Sequence, residues 1–476
     1  MTLIHIAVFI GFAILIRLLR NQIASAWLMF LSSLIFIFWL QPVSSIRSLE
    51  FWLPSILITL TVLIWGITSA REVFTEKDNR LAGWLALAVI LGLSGLRYLN
   101  LGFLVELVNP PVIWQVIILI LIAGSLLWLV QRSSSENKTP ASIAVIGLIV
   151  VFVILKYPPA ALKASQILRI INGQSPKLAN STEIAWVGYS YFAFRLIHVL
   201  REWQQGRKFN ANLRDFMVYV LFFPAFIAGP IDRLDHFQKQ LEQRNAQPAS
   251  EDFLEGGRRI AHGLFYKFIL ADSLALLALN PLSAQQVRST GWMWVLVYTY
   301  AFRLYFDFSG YTDLAIGISR LMGIQLPENF KQPYLAENLT VFWNRWHITL
   351  TQWFRTYYFN PVTRYLRTRK QPISTVWMIF FTQVSTMVLI ALWHGISLNF
   401  VLWGLWNGLG MFAHNRWTEW RKQYPAEPSK YVWVVRAQKY ISIFMTFNFI
   451  ALGWVWFALP DINSALLVFS KLTGGV

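Results

Sequence analysis

Apolar runs broken by short polar stretches recur along the whole chain. A helix needs about 20 apolar residues to cross the hydrocarbon of a bilayer. Candidate runs lie at 4–19, 24–40, 51–69, 81–94, 112–130 and 141–159, then at 184–200, 216–231, 260–279, 292–321, 376–392, 398–412 and 441–459. Several are too short or too polar for a simple crossing. The run at 292–321 is too long for one, and Gly310 offers a break inside it. The pattern predicts an all-α, polytopic integral membrane protein with roughly ten to thirteen membrane helices, some of them re-entrant or interfacial. The first twenty residues have no basic n-region and no small-residue cleavage site, so they read as a retained span.

Composition narrows the class. Of 476 residues, 56% are hydrophobic and 13% are charged, where a soluble domain carries roughly 25% charged residues. The 23 Trp, 17 Tyr and 36 Phe suit aromatic belts at the headgroup level. Soluble globular, disordered and disulfide-scaffold classes are excluded. Net charge is +18, and its basic residues cluster between apolar runs: Arg201, Arg207, Lys208 and Arg214; Arg364, Arg367, Arg369 and Lys370; and the stretch 416–439. Cytoplasmic loops and anionic lipid account for these, with no need of nucleic acid. Setting Arg17 and Arg20 inside places the N-terminus outside. With no cysteine there is no disulfide, thiolate metal site or Cys nucleophile.

Polar groups within apolar segments mark packing pairs or a site. Arg303 and Asp307 are one helical turn apart and Asp313 and Arg320 two turns, so each can pair along a helix face. Asp307 or Tyr311 could otherwise line a reaction site. In 338–355, Asn344, His347, Thr351 and Arg355 fall within an arc of about 80° on a helix, opposite Phe342, Trp346 and Trp353. This predicts an amphipathic helix with its aromatic side in the membrane and its polar side toward water or a cavity. His394 is isolated in the apolar run 390–395. Burial keeps an imidazole neutral, the form a general base must have. His347 and His394 are 47 residues apart with no flanking acid, which argues against a compact metal site.

Four stretches taken together resemble the membrane-bound O-acyltransferase family. They are FFPAFIAGPIDR (222–233), YFDFSGYTDLAIG (305–317), LPENFKQPYLAENLTVFWNRWHITLTQWFR (326–355) and LWHGISLNFVLWG (392–404). The likeness is to its bacterial branch, with alginate O-acetylation proteins and D-alanyl transferases of teichoic acid. It implies tilted, irregular helices around a central chamber, with variable helices at 1–160, a catalytic core at 161–430 and C-terminal helices at 431–476. It implies that His394 matches the family's catalytic His and His347 the second family position. Asn344, Arg355, Asp307, Tyr311, Trp393 and Asn399 become the substrate-binding candidates.

The implied reaction moves an acyl group, acetyl or D-alanyl, from a thioester to a hydroxyl, with no bound cofactor and no metal. The donor would be acetyl-CoA or an acyl carrier protein on the cytoplasmic side. The acceptor would be a surface polymer, or a separate extracytoplasmic transferase, outside a bacterial inner membrane. An alcohol is a poor nucleophile at neutral pH, so a base must take its proton as it attacks. On this expectation His394 is that base, and His347 orients the acceptor or donates to the developing oxyanion. A transporter or flippase of an acyl or lipid-linked cargo is the rival expectation, since transporters also use broken helices and intramembrane charges.

Overall fold

A computed structural model describes residues 2–19, 22–99, 109–132, 137–244, 249–371, 373–424 and 430–475. Arg20 and part of the basic stretch 416–439 lie outside them. Regular structure among the described residues is entirely helical. Among the described residues, seven helices are long and apolar enough to cross a membrane: Gln22–Trp39, Leu49–Thr68, Lys77–Tyr98, Ile113–Arg132, Thr139–Lys156, Thr375–His394 and Val432–Ala458. Leu3–Leu18 and Ile462–Leu472 are apolar but shorter. Thr290–Leu321 and Leu398–Gln423 are long but more polar. The expected ten to thirteen counted such segments as well.

Exposure identifies the solvent these helices meet. Ile113–Arg132 buries only Val116 among its described residues, and Ile117, Leu121, Ile122 and Trp128 stand exposed. A face that apolar is untenable in water but ordinary against lipid. The chain is a multi-pass membrane protein.

It packs as two compact units. The first, residues 1–260 with 314–326, holds an aromatic core in which Phe9, Phe36 and Phe223 meet pairwise at 4.8–5.1 Å between ring centroids. Two expectations change here. The helix expected from 184 begins at Tyr189, after Gly188 at φ +80°, where a Cβ would come within 2.4 Å of the Phe226 ring. The run at 216–231 is no single helix: Leu213–Leu221 ends, and one 3-10 turn, Phe223–Ala225, contains Pro224. Proline cannot continue the ladder and leaves carbonyls without donors. The buried Arg195 guanidinium supplies them, donating to Val220 O at 2.9 Å and Ala225 O at 2.7 Å.

Asp232 and Arg233, adjacent at the end of that stretch, take different side-chain partners. Asp232 pairs with His236 at 2.9 Å, and Arg233 with Glu202 at 2.8 Å. Arg320 lies 2.8 Å from Asp252, a buried carboxylate that Arg17 also holds at 2.7 Å. The expected Asp313–Arg320 pair is therefore replaced, because a buried carboxylate needs its charge matched by partners more than a helix face needs a spaced pair.

The second unit comprises residues 261–313 and 327–476. Its helical hairpin, Thr375–His394 and Leu398–Gln423, closes on glycines. A Cβ on Gly404 would sit 2.7 Å from Val388 Cα, and one on Gly408 would sit 2.8 Å from Val384 Cα. Small residues let the two backbones approach, as membrane helices favour. Gly310 is no break either, since Thr290–Leu321 runs through it. A Cβ there would lie 2.8 Å from Lys267 N and 2.9 Å from Gly263 O, so its role is a close approach of backbones. That crossing sets Lys267 against Asp307, in place of the expected Arg303. Asp313 in turn meets His262 at 3.3 Å.

Candidate active site

The segment around His347 departs from the single amphipathic helix expected over 338–355. A short helix, Leu339–Trp343, begins at Asn338, whose side chain accepts from Val341 N. The chain then turns, and His347 takes a left-handed backbone, φ +43° and ψ +53°, before Ile348–Phe354 resumes. A non-glycine residue there costs energy and persists only where its surroundings hold it. Here the holding bonds run to the preceding loop: Ile348 N donates to Asn329 O, and Lys331 N to Arg345 O, each at 3.0 Å.

This turn redistributes the expected polar stripe. His347 is buried, Thr351 is half-buried, and Asn344 and Arg355 are exposed and bonded to each other at 2.8 Å. The aromatic side is not the lipid face predicted for it. Phe342 and Trp346 are buried within the protein, stacked at 5.6 Å, with Trp346 against Phe330 and Trp454 at 5.1 Å each. With a break at 344–347, helical phase no longer fixes which side chains share a face.

The His347 ring is enclosed by aromatic groups. Phe308 meets it edge-on at 4.7 Å and Trp393 at 5.9 Å. Its Nδ1 lies 3.2 Å from Asn329 Oδ1. Its Nε2 is buried without a hydrogen-bond partner among the described residues.

His394 is the last residue of Thr375–His394, followed by a short turn to Ser397, which caps the next helix at Phe400 N. It is partly exposed, and its ring packs on Phe457 at 4.8 Å, Trp403 at 5.7 Å and Trp393 at 4.5 Å. Trp393 thus contacts both imidazoles. Its two spacings, 5.9 Å and 4.5 Å, cap the distance between their centroids at about 10 Å, within reach of one bound substrate.

The other candidates fall in different places. Asn399 is buried, and its amide donates to Leu459 O at 2.9 Å, tying the start of one helix to the end of another. Asp307 is engaged by Lys267, and Tyr311 is buried one turn further along the same helix. Asn329, Phe308, Trp403 and Phe457 touch the histidines, yet sequence reasoning did not single them out. Asn329 lies within LPENFKQPY, where a lone Asn between two prolines was the only available signal.

Membrane-crossing helices and two imidazoles gathered on one indole define a multi-pass membrane protein with a candidate centre for proton transfer. A sequence profile of MBOAT, the membrane-bound O-acyltransferase family, matches residues 127–456, and the chain belongs to that family. It is 31% identical over 395 residues to a probable alginate O-acetylase of Pseudomonas syringae, covering 80% of this chain and 72% of the relative. It is 28% identical over 388 residues to a teichoic acid D-alanyltransferase of Bacillus subtilis, covering 78% and 93%. With a peptidoglycan O-acetyltransferase of Helicobacter pylori it shares 33% identity over 266 residues, covering 56% and 47%.

Proposed function

We propose that this protein transfers an acyl group, most simply acetyl, from a thioester to a hydroxyl of a cell-surface polymer. The observation that carries the reading is the contact of Trp393 with both His347 and His394. His394, partly exposed, takes the proton of the acceptor hydroxyl as its oxygen attacks the thioester carbonyl carbon. A C–O bond forms, the tetrahedral intermediate collapses, and the C–S bond breaks. The imidazolium returns the proton to the departing thiolate. Positioned base help of this kind contributes typically about 10²–10⁴-fold. Phe308, Trp393, Trp403 and Phe457 crowd the two rings and keep bulk water from the thioester.

The relatives' names support an envelope polymer as acceptor, since they act on alginate, teichoic acid and peptidoglycan. We further infer a place in a bacterial inner membrane, with acetyl-CoA or an acyl carrier protein as the thioester donor on the cytoplasmic side. A separate extracytoplasmic transferase is the other acceptor to which the acyl group can pass.

The test is alkaline release of ester-linked acyl groups from the washed envelope of the native host. It compares wild type with His394→Ala at matched membrane abundance. Loss of one acyl species supports the reading and names the group transferred. An unchanged ester content removes it and favours transport of a cargo without chemistry.

A further inference from the structure

Asn329 Oδ1 is approached by three groups: Thr349 N at 3.2 Å, Thr349 Oγ1 at 2.9 Å and His347 Nδ1 at 3.2 Å. A backbone N–H can only donate, so the Asn329 atom facing Thr349 is the carbonyl oxygen and not the amide nitrogen. A carbonyl oxygen can only accept, so His347 Nδ1 must carry the proton in that contact. A neutral imidazole has one N–H, and its second nitrogen then holds a lone pair. The imidazolium would instead place an N–H at Nε2, which is buried without a partner among the described residues. Leaving such a donor unsatisfied is unfavourable, and more so for a charged group. Everything facing this ring therefore selects one protonation state.

We propose that Asn329 is a positioning residue that locks His347 as its Nδ1–H tautomer, so that Nε2 accepts the hydrogen bond of an acceptor hydroxyl beside the one to be acylated. This rests on the acyltransferase reading and decides between the two roles open to His347. An Nε2 with a lone pair cannot donate to an oxyanion. It can receive the O–H of a second hydroxyl on the acceptor, which seats the acceptor while His394 removes the proton of the hydroxyl that attacks. The ligand class at this ring is an alcohol, not a carbonyl or a carboxylate, because neither of those brings a proton.

The loop–turn geometry makes the lock rigid. Asn329 is fully buried, its carbonyl holds Ile348 N, and its side chain holds Thr349. His347 has a left-handed backbone, and its Nδ1 meets the same Asn329 oxygen that Thr349 does.

Two measurements decide it. The first is solid-state ¹⁵N NMR of the full-length, histidine-labelled protein in lipid vesicles, with the His347 signals assigned by their loss in His347→Gln. Protonation at Nδ1 is expected, and protonation at Nε2 overturns the proposal. This arm needs no catalysis, so it stands even if the acyltransferase reading fails.

The second is the pH profile of ester formation. Asn329→Asp keeps the acceptor but sets a carboxylate on Nδ1–H, so the acid limb should move to higher pH. Asn329→Ala should lose at least tenfold in kcat with the KM for the thioester little changed. If both variants lower only the amount of folded protein, with kcat and the pH profile unmoved, Asn329 is a packing residue and the proposal fails. If the wild type forms no ester while NMR reports Nδ1–H, the acyltransferase reading fails and the tautomer assignment survives.

Discussion

Trp393 and His347 meet edge to face with ring centroids 5.9 Å apart, although one lies at the end of a long apolar helix and the other in a left-handed turn. The same indole lies 4.5 Å from His394, its neighbour in sequence. The indole is therefore a wall that both imidazoles touch. Trp393→Phe keeps an aromatic wall and should change transfer by only a few fold. Trp393→Ala removes the wall and admits water, so transfer should fall by more than tenfold while thioester hydrolysis rises. Measuring free acid against ester product in one reaction separates these outcomes. Equal transfer by the alanine variant would show that the wall is dispensable.

Backbone approach at Gly310 gives a stability prediction. A methyl there would meet Lys267 N and Gly263 O at under 3 Å. Overpacking of this kind costs about 1–3 kcal/mol, so Gly310→Ala should melt clearly below wild type in detergent. Gly11→Ala is the control, since nothing lies within 4 Å of its added Cβ. Equal melting of the two variants would mean that the crossing can open freely.

Two ion pairs outside the spanning helices should respond to pH in opposite senses. Glu183 is held down to about 2 by Arg169, with Ser165 and Ser45 adding hydrogen bonds. Its stabilisation is present above the ordinary carboxylate value and is lost as pH falls through the depressed one. Glu183→Gln should therefore melt lower than wild type at pH 7, with the gap closing in acid. His236 is raised by its bond to Asp232. That contribution is full below the ordinary histidine value and disappears as pH rises through the raised one. His236→Gln should show its larger deficit near pH 5.5 and a smaller one at pH 8.5. Melting curves at pH 7 and in acid for the first variant, and at pH 5.5 and 8.5 for the second, test both signs, and a flat gap in either variant contradicts its pair.

The spans were legible because apolar length alone decides them. Gln22–Trp39, Leu49–Thr68 and Thr375–His394 start and stop within two residues of the runs that predict them. FWNRWH and LWHG single out His347 and His394, and the structure brings both rings against Trp393. What surrounds them was not legible. Asn329 reaches His347 from a loop 18 residues upstream, and Phe308 comes from another helix. Lys267 takes Asp307 from across a helix crossing 40 residues away. Arg195 rescues the carbonyls around Pro224 from 25 and 30 residues upstream. Each of these is a tertiary partner replacing a local one, and helical periodicity carries no information about it. The turn at His347 was hidden for a related reason, since a non-glycine left-handed residue is held by distant bonds and leaves no mark in its own side chain.

The most direct test of the account is a double-mutant cycle on His347→Ala, His394→Ala and the pair together. Envelope ester content is read at matched membrane abundance. If both imidazoles serve one bound acceptor, each single change should lower ester formation by about 10²–10⁴-fold. The double change should then cost little more, because residues that act as a unit are not additive. Retention of ester by either single variant, or losses that simply multiply in the double, would contradict a shared site.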